Sequence, residues 1–267
     1  MNTWVISSGD TFVKGYNINM SDQLYADLIS RIPGGVISKN IIEFEDKTKY
    51  LISDYKVYYF NNIVDETEIR RRVLALLSLQ AIRLGRLMLH SCCIKNNNKT
   101  IALIGDYGTG KTTFALHMSK LGWEILSGDT SYISSQGKFI AGSRIVLSRE
   151  PVMPDAVQTT LNFPISNDRW EAGYCHGGPY DDINLDLIVL FDETVINRDT
   201  DDVKCDDIYQ SCLRVFKVHN SNWCRDLITN DIKSEIMSHC LELSKKIKTI
   251  AINKTDIYSI ERLINDA

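Results

Sequence analysis

The residues that could do chemistry are concentrated in one glycine-rich run, GDYGTGKT, at residues 105–112. The run fits the phosphate-binding-loop pattern G-x-x-x-x-G-K-[ST] at every fixed position. Glycine permits positive φ and close approach of the backbone, so successive N–H groups can surround a phosphate. In this pattern the lysine reaches the β- and γ-phosphates, and the threonine hydroxyl binds Mg²⁺. The predicted nucleotide-binding residues are Gly105, Asp106, Tyr107, Gly108, Thr109, Gly110, Lys111, Thr112 and Thr113.

The segments on either side of this loop have the patterns needed to position it. Residues 101–104 are continuously apolar, which predicts a buried strand. Residues 111–121 predict a helix that ends at Gly122. A glycine-rich turn with an incidental Lys-Thr pair is the alternative, but a strand before the loop and a helix after it favour phosphate binding.

A phosphate-binding loop needs a second anchor for its metal ion, and two acidic positions are candidates. Asp129 follows a predicted strand at residues 123–126. Asp192, together with Glu193, follows a strongly apolar run at residues 185–191. Either acid could instead be a solvated loop residue, so these patterns alone leave the choice open.

The segment at residues 89–133 resembles the bacterial HPr kinase/phosphorylase family, and especially its short stand-alone relatives found beside peptide-modifying genes. This family shares its core with phosphoenolpyruvate carboxykinase. The shared pattern is a Leu-His pair in a strand, the phosphate loop, a helix that ends near a glycine, and a strand that ends in an acid. Here these features are Leu89-His90, the loop, Gly122 and Asp129, within about 45 residues.

The resemblance implies roles for individual residues. Lys111, Asp129 and His90 would be the catalytic residues, and Thr112 and Asp129 would hold Mg²⁺. Asp129 would also help to remove the proton of the acceptor hydroxyl, while His90 would orient that carboxylate. From the sequence alone, His90 could equally be a histidine with a structural role in its strand.

Two features depart from the family pattern. The family commonly has two adjacent acids at the strand end, whereas this chain has Gly128 before Asp129. If the missing acid is the general base, Asp129 must do both jobs, or Asp192 or Glu193 must help. The Glu-x-Arg-Gly loop of the full kinase/phosphorylase is also absent, so reverse phosphorolysis and the sugar-regulation role are not expected.

The acceptor side of the site has no recognisable motif. Residues 150–182 hold four of the five prolines and predict irregular structure. Arg144 and Arg149 lie where a basic side chain could stabilise a transferring phosphoryl group, but each is more often a surface cation.

The rest of the chain predicts a fold around this core. We expect an N-terminal α+β lobe at residues 1–64, with strands in residues 1–19, a helix capped by Ser21, and strands at 41–44 and 50–60. Residues 65–267 would form the P-loop domain, which starts with a helix at Asp65. The lobe and this domain could also form one continuous domain. The predicted fold class is α/β, a P-loop kinase core of the HPr kinase and phosphoenolpyruvate carboxykinase type with a mixed sheet. The C-terminal part of the chain is predicted to contain helices within residues 203–246, a strand at 247–252 and a helix at 256–265.

Composition limits the classes of partner. The net charge of −4 argues against general nucleic-acid binding, and no apolar stretch is long enough to span a membrane. The seven cysteines have no metal-binding spacing, and no signal peptide is visible, so a cytoplasmic location is expected. A homo-oligomer is compatible with the sequence.

Together these patterns predict an ATP- and Mg²⁺-dependent kinase that transfers the γ-phosphoryl group to a Ser or Thr hydroxyl of a peptide or small protein. Tailoring of a peptide natural product is one such role. Two alternatives stay open: a kinase of a small hydroxylated metabolite, and a non-catalytic nucleotide-binding regulatory module, which the glycine at position 128 favours. No base-recognition motif distinguishes ATP from GTP.

Overall fold

The computed structural model describes residues 2–8, 11–16, 20–41, 57–59, 65–148, 171–178, 180, 183–192, 207–217, 228–252 and 264. Over these residues the chain is a mixed α/β protein with a large mixed sheet and five helices. In chain order the elements are β1 (Asn2–Ser8), β2 (Thr11–Tyr16), α1 (Asp22–Arg31), β3 (Gly35–Ile41), β4 (Val57–Tyr59), α2 (Glu66–Arg83), β5 (Arg86–Lys95), β6 (Thr100–Gly105), α3 (Lys111–Lys120), β7 (Glu124–Ser127), β8 (Thr130–Ser134), β9 (Lys138–Gly142), β10 (Ile145–Ser148), β11 (Glu171–Tyr174), β12 (Ile183–Asn184), β13 (Leu187–Phe191), α4 (Ile208–Lys217), α5 (Asn230–Lys246) and β14 (Lys248–Ile252).

The large sheet has the strand order β12-β9-β8-β5-β6-β13-β14, and β7 also pairs with β5. Strand β6 is antiparallel to β5 but parallel to β13, which is in turn parallel to β14. Gly105 and Phe191 are partners in the β6–β13 register, so both strands end at the same edge of the sheet. The loop after β6 and the residues after β13 are therefore neighbours.

Helices cover both faces of this sheet, which explains why β6 and β13 are apolar and buried along their whole lengths. On one face, Leu103 packs in a cluster with Phe114 of α3. On the other face, Ile104 packs in a cluster with Ile236 of α5 and Leu79 of α2. Alternate residues of β6 thus contribute to two different cores, as the two-residue period of a strand requires.

A second, four-stranded sheet with the order β3-β1-β2-β4 packs against α1 and α2. Its helix α1 begins as predicted, because the Ser21 side chain accepts a hydrogen bond from the Leu24 N–H at 3.0 Å. The same apolar cluster that holds Ile6 and Leu24 also contains Met88 of β5 and Tyr132 of β8. The N-terminal sheet therefore shares a core with the large sheet, while the boundary at residue 64 stays a prediction.

The order of elements agrees with the sequence analysis over most of the described residues, with two differences. Strand β3 occupies Gly35–Ile41, mostly before the predicted strand at residues 41–44, because Gly34 with φ of 59° turns the chain directly from α1 into the sheet; residues 42–44 lie outside the described residues. The region at 150–182 was predicted to be irregular, yet it contains β11, which pairs with β10. The terminal helix predicted at residues 256–265 lies, except for Ile264, outside the described residues.

Candidate active site

The glycine-rich loop joins β6 to α3 with the backbone that a phosphate-binding loop needs. Gly108 and Gly110 have φ values of 80° and 99°, a region that favours glycine. Gly110 is the N-cap of α3, and no side chain caps the helix there. The first N–H groups of a helix lack partners within it, so this end can bind an anion.

Close packing against β13 fixes the start of the loop. A Cβ atom on Gly105 would lie 2.7 Å from the Phe191 carbonyl oxygen and 2.9 Å from Thr109 Oγ1, so only glycine fits. The buried Thr109 hydroxyl donates a hydrogen bond to the Asp106 carbonyl at 2.8 Å. At the tip of the loop, Tyr107 is exposed.

The Lys111 ammonium group lies inside the loop. Its Nζ donates hydrogen bonds to the carbonyl oxygens of Gly105 at 2.9 Å and Asp106 at 2.8 Å, and the residue is only 5% exposed. Burial lowers the pKa of Lys111, an effect that Cys92, Asp129 and Asp106 oppose. The structure thus places this cation where the nucleotide phosphates are predicted to bind.

Cys92 of β5 connects the loop helix to the turn between β7 and β8. Its thiol donates a hydrogen bond to the Gly128 carbonyl at 2.9 Å and lies 3.6 Å from Thr112 Oγ1. Burial raises the pKa of the Cys92 thiol to about 11, so the group stays protonated and can donate. Thr112, a predicted metal ligand, is therefore next to the turn that carries Asp129.

Three side chains surround the Asp129 carboxylate. His90 Nε2 lies 3.5 Å from Oδ1, while Arg31 NH1 and Thr130 Oγ1 each lie 3.4 Å from Oδ2. Burial would raise the pKa of Asp129, but the hydrogen bond with His90 and the charges of Arg31, His90 and Lys111 outweigh it. The pKa of Asp129 is consequently well below its usual range, and the carboxylate is ionised at neutral pH.

The turn that presents Asp129 is held by Ser143 and has no room for a side chain at position 128. Ser143 Oγ accepts hydrogen bonds from the N–H groups of Asp129 at 3.0 Å and Thr130 at 2.9 Å. A Cβ atom on Gly128 would lie 2.1 Å from the Ile145 carbonyl oxygen of β10. The backbone of β10 thus occupies the space that a second acid would need.

The second acidic candidate, Asp192, lies directly after β13 at the same sheet edge. Its N–H donates to the Ile252 carbonyl at 2.9 Å, and its carboxylate forms an ion pair with Arg214 of α4. Lys217 of the same helix lies 3.2 Å from Asp106 in an exposed pair. Glu193 lies outside the described residues. Asp192 therefore lies at the same sheet edge as the loop, and its carboxylate is paired with the Arg214 guanidinium.

The sequence analysis missed Arg31, which is 98 residues away from Asp129 along the chain. The end of α1 is fixed at the site by two backbone hydrogen bonds: the Arg144 N–H donates to the Ser30 carbonyl at 2.7 Å, and the Gly34 N–H donates to the Gly142 carbonyl at 3.1 Å. No local pattern around residue 31 signals this role, since only the folding of the N-terminal sheet onto the core brings the side chain there.

The two arginines that the sequence analysis considered have other surroundings. The Arg144 side chain packs beside Gly177, where an added Cβ would lie 2.6 Å from its Cγ. Arg149 lies outside the described residues. Among the described basic side chains, Arg31 is in contact with Asp129, and the charge of Lys111 also acts on it.

The chemistry of the ligands fits a magnesium ion completed by a nucleotide. Within the described ranges, no three His, Cys, Asp or Glu side chains form a cluster that could hold a metal ion. A hydroxyl from Thr112 and one carboxylate from Asp129 are hard oxygen ligands, and Mg²⁺ commonly takes one or two carboxylates plus phosphate and water oxygens. These residues thus fit a metal site that needs the substrate to complete it.

Comparisons with known proteins add no assignment. No protein-family model matches the chain, and no curated protein matches it with significant similarity. Among the described helices, none has both the length and the apolar character needed to cross a membrane. The functional argument therefore depends on the geometry of the loop, the Asp129 turn and their neighbours.

Proposed function

We propose that the chain is an ATP- and Mg²⁺-dependent kinase that transfers the γ-phosphoryl group to a Ser or Thr hydroxyl of a peptide or small protein. One observation carries the proposal: the Cys92 thiol contacts both Thr112 of the phosphate loop and the turn that presents an ionised Asp129. A loop that binds phosphates and an acid that suits a metal ion or a proton are thus side by side.

Phosphoryl transfer requires mainly positioning and charge stabilisation, because its transition state is loose. Lys111 would contact the β- and γ-phosphates, together with the N–H groups of the loop. Thr112 and Asp129 would hold Mg²⁺, which neutralises phosphate charge when bound. His90 would fix the direction of the Asp129 carboxylate, which would accept the acceptor proton late in the reaction.

The resemblance to the HPr kinase/phosphorylase family supports the same proposal and adds a P-loop core of that type. The mixed sheet agrees with that core, with β6 between antiparallel β5 and parallel β13. The resemblance to short stand-alone relatives favours a peptide acceptor, which we include in the proposal by analogy.

A non-catalytic nucleotide-binding module is the second candidate, and the surroundings of Gly128 favour it. If chemistry of this type needs two acids at the turn, the position of β10 leaves room for only one. Such a module would bind and release nucleotide without transferring its phosphate.

A transfer assay separates the two candidates. The protein would be incubated with Mg²⁺, γ-labelled ATP and peptides encoded beside its gene, with hydroxylated metabolites as separate acceptors. Lys111→Ala should reduce labelling at least ~100-fold, because it removes a charge that contacts the transferring group. Lys120→Ala, at the exposed end of the same helix, is the matched control and should label normally.

The outcomes are distinct. A peptide that gains one phosphate in a Lys111-dependent reaction would support the kinase, and label on a metabolite would move the acceptor to that class. ATP binding that depends on Lys111, without label on any acceptor, would favour the non-catalytic module. Absence of nucleotide binding would refute both.

A further inference from the structure

The geometry points to Arg31 as a further residue of the active site: the end of α1 supplies, within the same chain, a guanidinium group that binds the γ-phosphate. This inference deepens the proposed nucleotide chemistry and rests on it. Arg31 NH1 lies 3.4 Å from Asp129 Oδ2, on the carboxylate that is proposed to hold Mg²⁺. A cation at this place would have phosphate oxygens as its natural partners.

Asp27, rather than Asp129, holds the Arg31 side chain. Arg31 Nε lies 2.6 Å from Asp27 Oδ1, whereas its contact with Asp129 is 3.4 Å long. Arg70 of α2 occupies the other oxygen, with NH1 2.6 Å from Asp27 Oδ2. The guanidinium is therefore fixed through Nε, and its NH1 end faces the site with a weak contact that a phosphate oxygen can replace.

The helix that carries Arg31 is itself attached to the segment that shapes the site. Its last turn accepts the Arg144 N–H at the Ser30 carbonyl, and Ser143 next to it binds the N–H of Asp129. Arg31 is only 15% exposed at its side chain, so this guanidinium is not a mobile surface cation. A rigid, preformed cation opposite a developing charge is the arrangement that stabilises phosphoryl transfer.

The position of β10 gives Arg31 a further role. Because no side chain fits at position 128, the turn carries one acid beside one arginine instead of two acids. With one carboxylate and one guanidinium at the turn, the site suits an anionic ligand that binds as a complex with Mg²⁺, as a nucleoside triphosphate does. ADP lacks the group that Arg31 would bind.

The test compares ATP and ADP affinities by isothermal titration in the presence of Mg²⁺, a measurement that does not require turnover. Arg31→Gln should lower ATP affinity about tenfold or more while ADP affinity changes less than about twofold. Arg71→Gln, an exposed arginine of α2, is the matched control and should change neither affinity. Arg70→Gln removes the other partner of Asp27 but keeps the Arg31 guanidinium, so the preference for ATP should persist.

Arg31→Gln leaves Asp27 with one partner fewer and could fail to fold. The double variant Asp27→Asn with Arg31→Gln removes one positive and one negative charge, so the group formed by Asp27, Arg31 and Arg70 keeps its net charge. It should show the same selective loss of ATP affinity. Equal losses for ATP and ADP, or no loss for either, would overturn the inference. Failure of the wild-type protein to bind either nucleotide would instead refute the proposed function.

Discussion

Replacing Gly128 with alanine tests whether β10 closes the position beside Asp129. The added Cβ would lie 2.1 Å from the Ile145 carbonyl oxygen and 2.7 Å from Val146 Cγ2, distances that real Cβ atoms essentially never show. The nearest atom belongs to the backbone, so no side-chain rotation can relieve the contact. Either the turn or β10 must move by roughly an ångström.

The size of the effect follows from these contacts. Overpacking of this kind costs about 1–3 kcal/mol, and the move would also weaken the two hydrogen bonds that Ser143 accepts, each worth about 1 kcal/mol. The free energy of unfolding should therefore fall by about 3–5 kcal/mol. For a protein of this size that corresponds to a decrease in Tm of roughly 6–20 °C.

Gly122→Ala is the matched control. Gly122 has φ of 88°, but nothing lies within 4 Å of an added Cβ, so the change costs only backbone strain of about 1–2 kcal/mol. Thermal and urea unfolding would measure both variants. If Gly128→Ala is no less stable than Gly122→Ala, the proposed closure of position 128 by β10 is wrong. Gly128→Asp should be at least as destabilised and should not restore a second acid.

Three further predictions concern the metal, the choice of acid and alkaline stability. Thr112→Ala should lower Mg²⁺-dependent ATP affinity about 10–100-fold, whereas Lys120→Ala, at the exposed end of the same helix, should bind normally in the same titration. In the transfer assay, Asp129→Asn should lose far more activity than Asp192→Asn, whose carboxylate has an arginine partner; the reverse order would assign the metal to the second acid. Burial raises the pKa of the Cys93 thiol to about 12, so above pH ~8.5 the unfolded chain loses a proton that the folded chain keeps. This thiol alone lowers the free energy of unfolding by up to about 1.4 kcal/mol per pH unit, in addition to the effect of the buried Cys92 thiol. Urea unfolding between pH 7.5 and 10, with reductant, should show this slope, and Cys93→Ala should lessen it; an unchanged slope in that variant would contradict the assignment.

The strand, the glycine-rich loop and the helix at residues 100–120 could be predicted from sequence because their determinants are local. The apolar strand, the glycines and the helix are contiguous, and Gly105 and Gly110 are required by backbone geometry that the pattern itself encodes. The placement of Asp129 near Thr112, in contrast, does not follow from local sequence patterns. It was expected from a resemblance, and the contact through Cys92 is a property of the folded sheet.

The remainder of the site depends on contacts between distant parts of the chain. Arg31 reaches Asp129 only because α1 docks on the segment at residues 142–144. Likewise, the closure of position 128 depends on β10, whose partner β11 lies in a region without periodic pattern. Steric exclusion between a turn and the backbone of another strand leaves no signature in either local sequence.

The apolar cluster shared by the two sheets has a consequence for how such a chain can be rearranged or divided. A fragment that starts at residue 65 would keep the whole glycine-rich loop. It would lose the apolar residues of the N-terminal sheet and α1 that share a cluster with Val73, Leu77 and Met88, which are all fully buried. It would expose a continuous apolar surface, which favours aggregation. We therefore expect recombination that exchanges residues 65–267 alone to require a replacement N-terminal sheet with a matching apolar face.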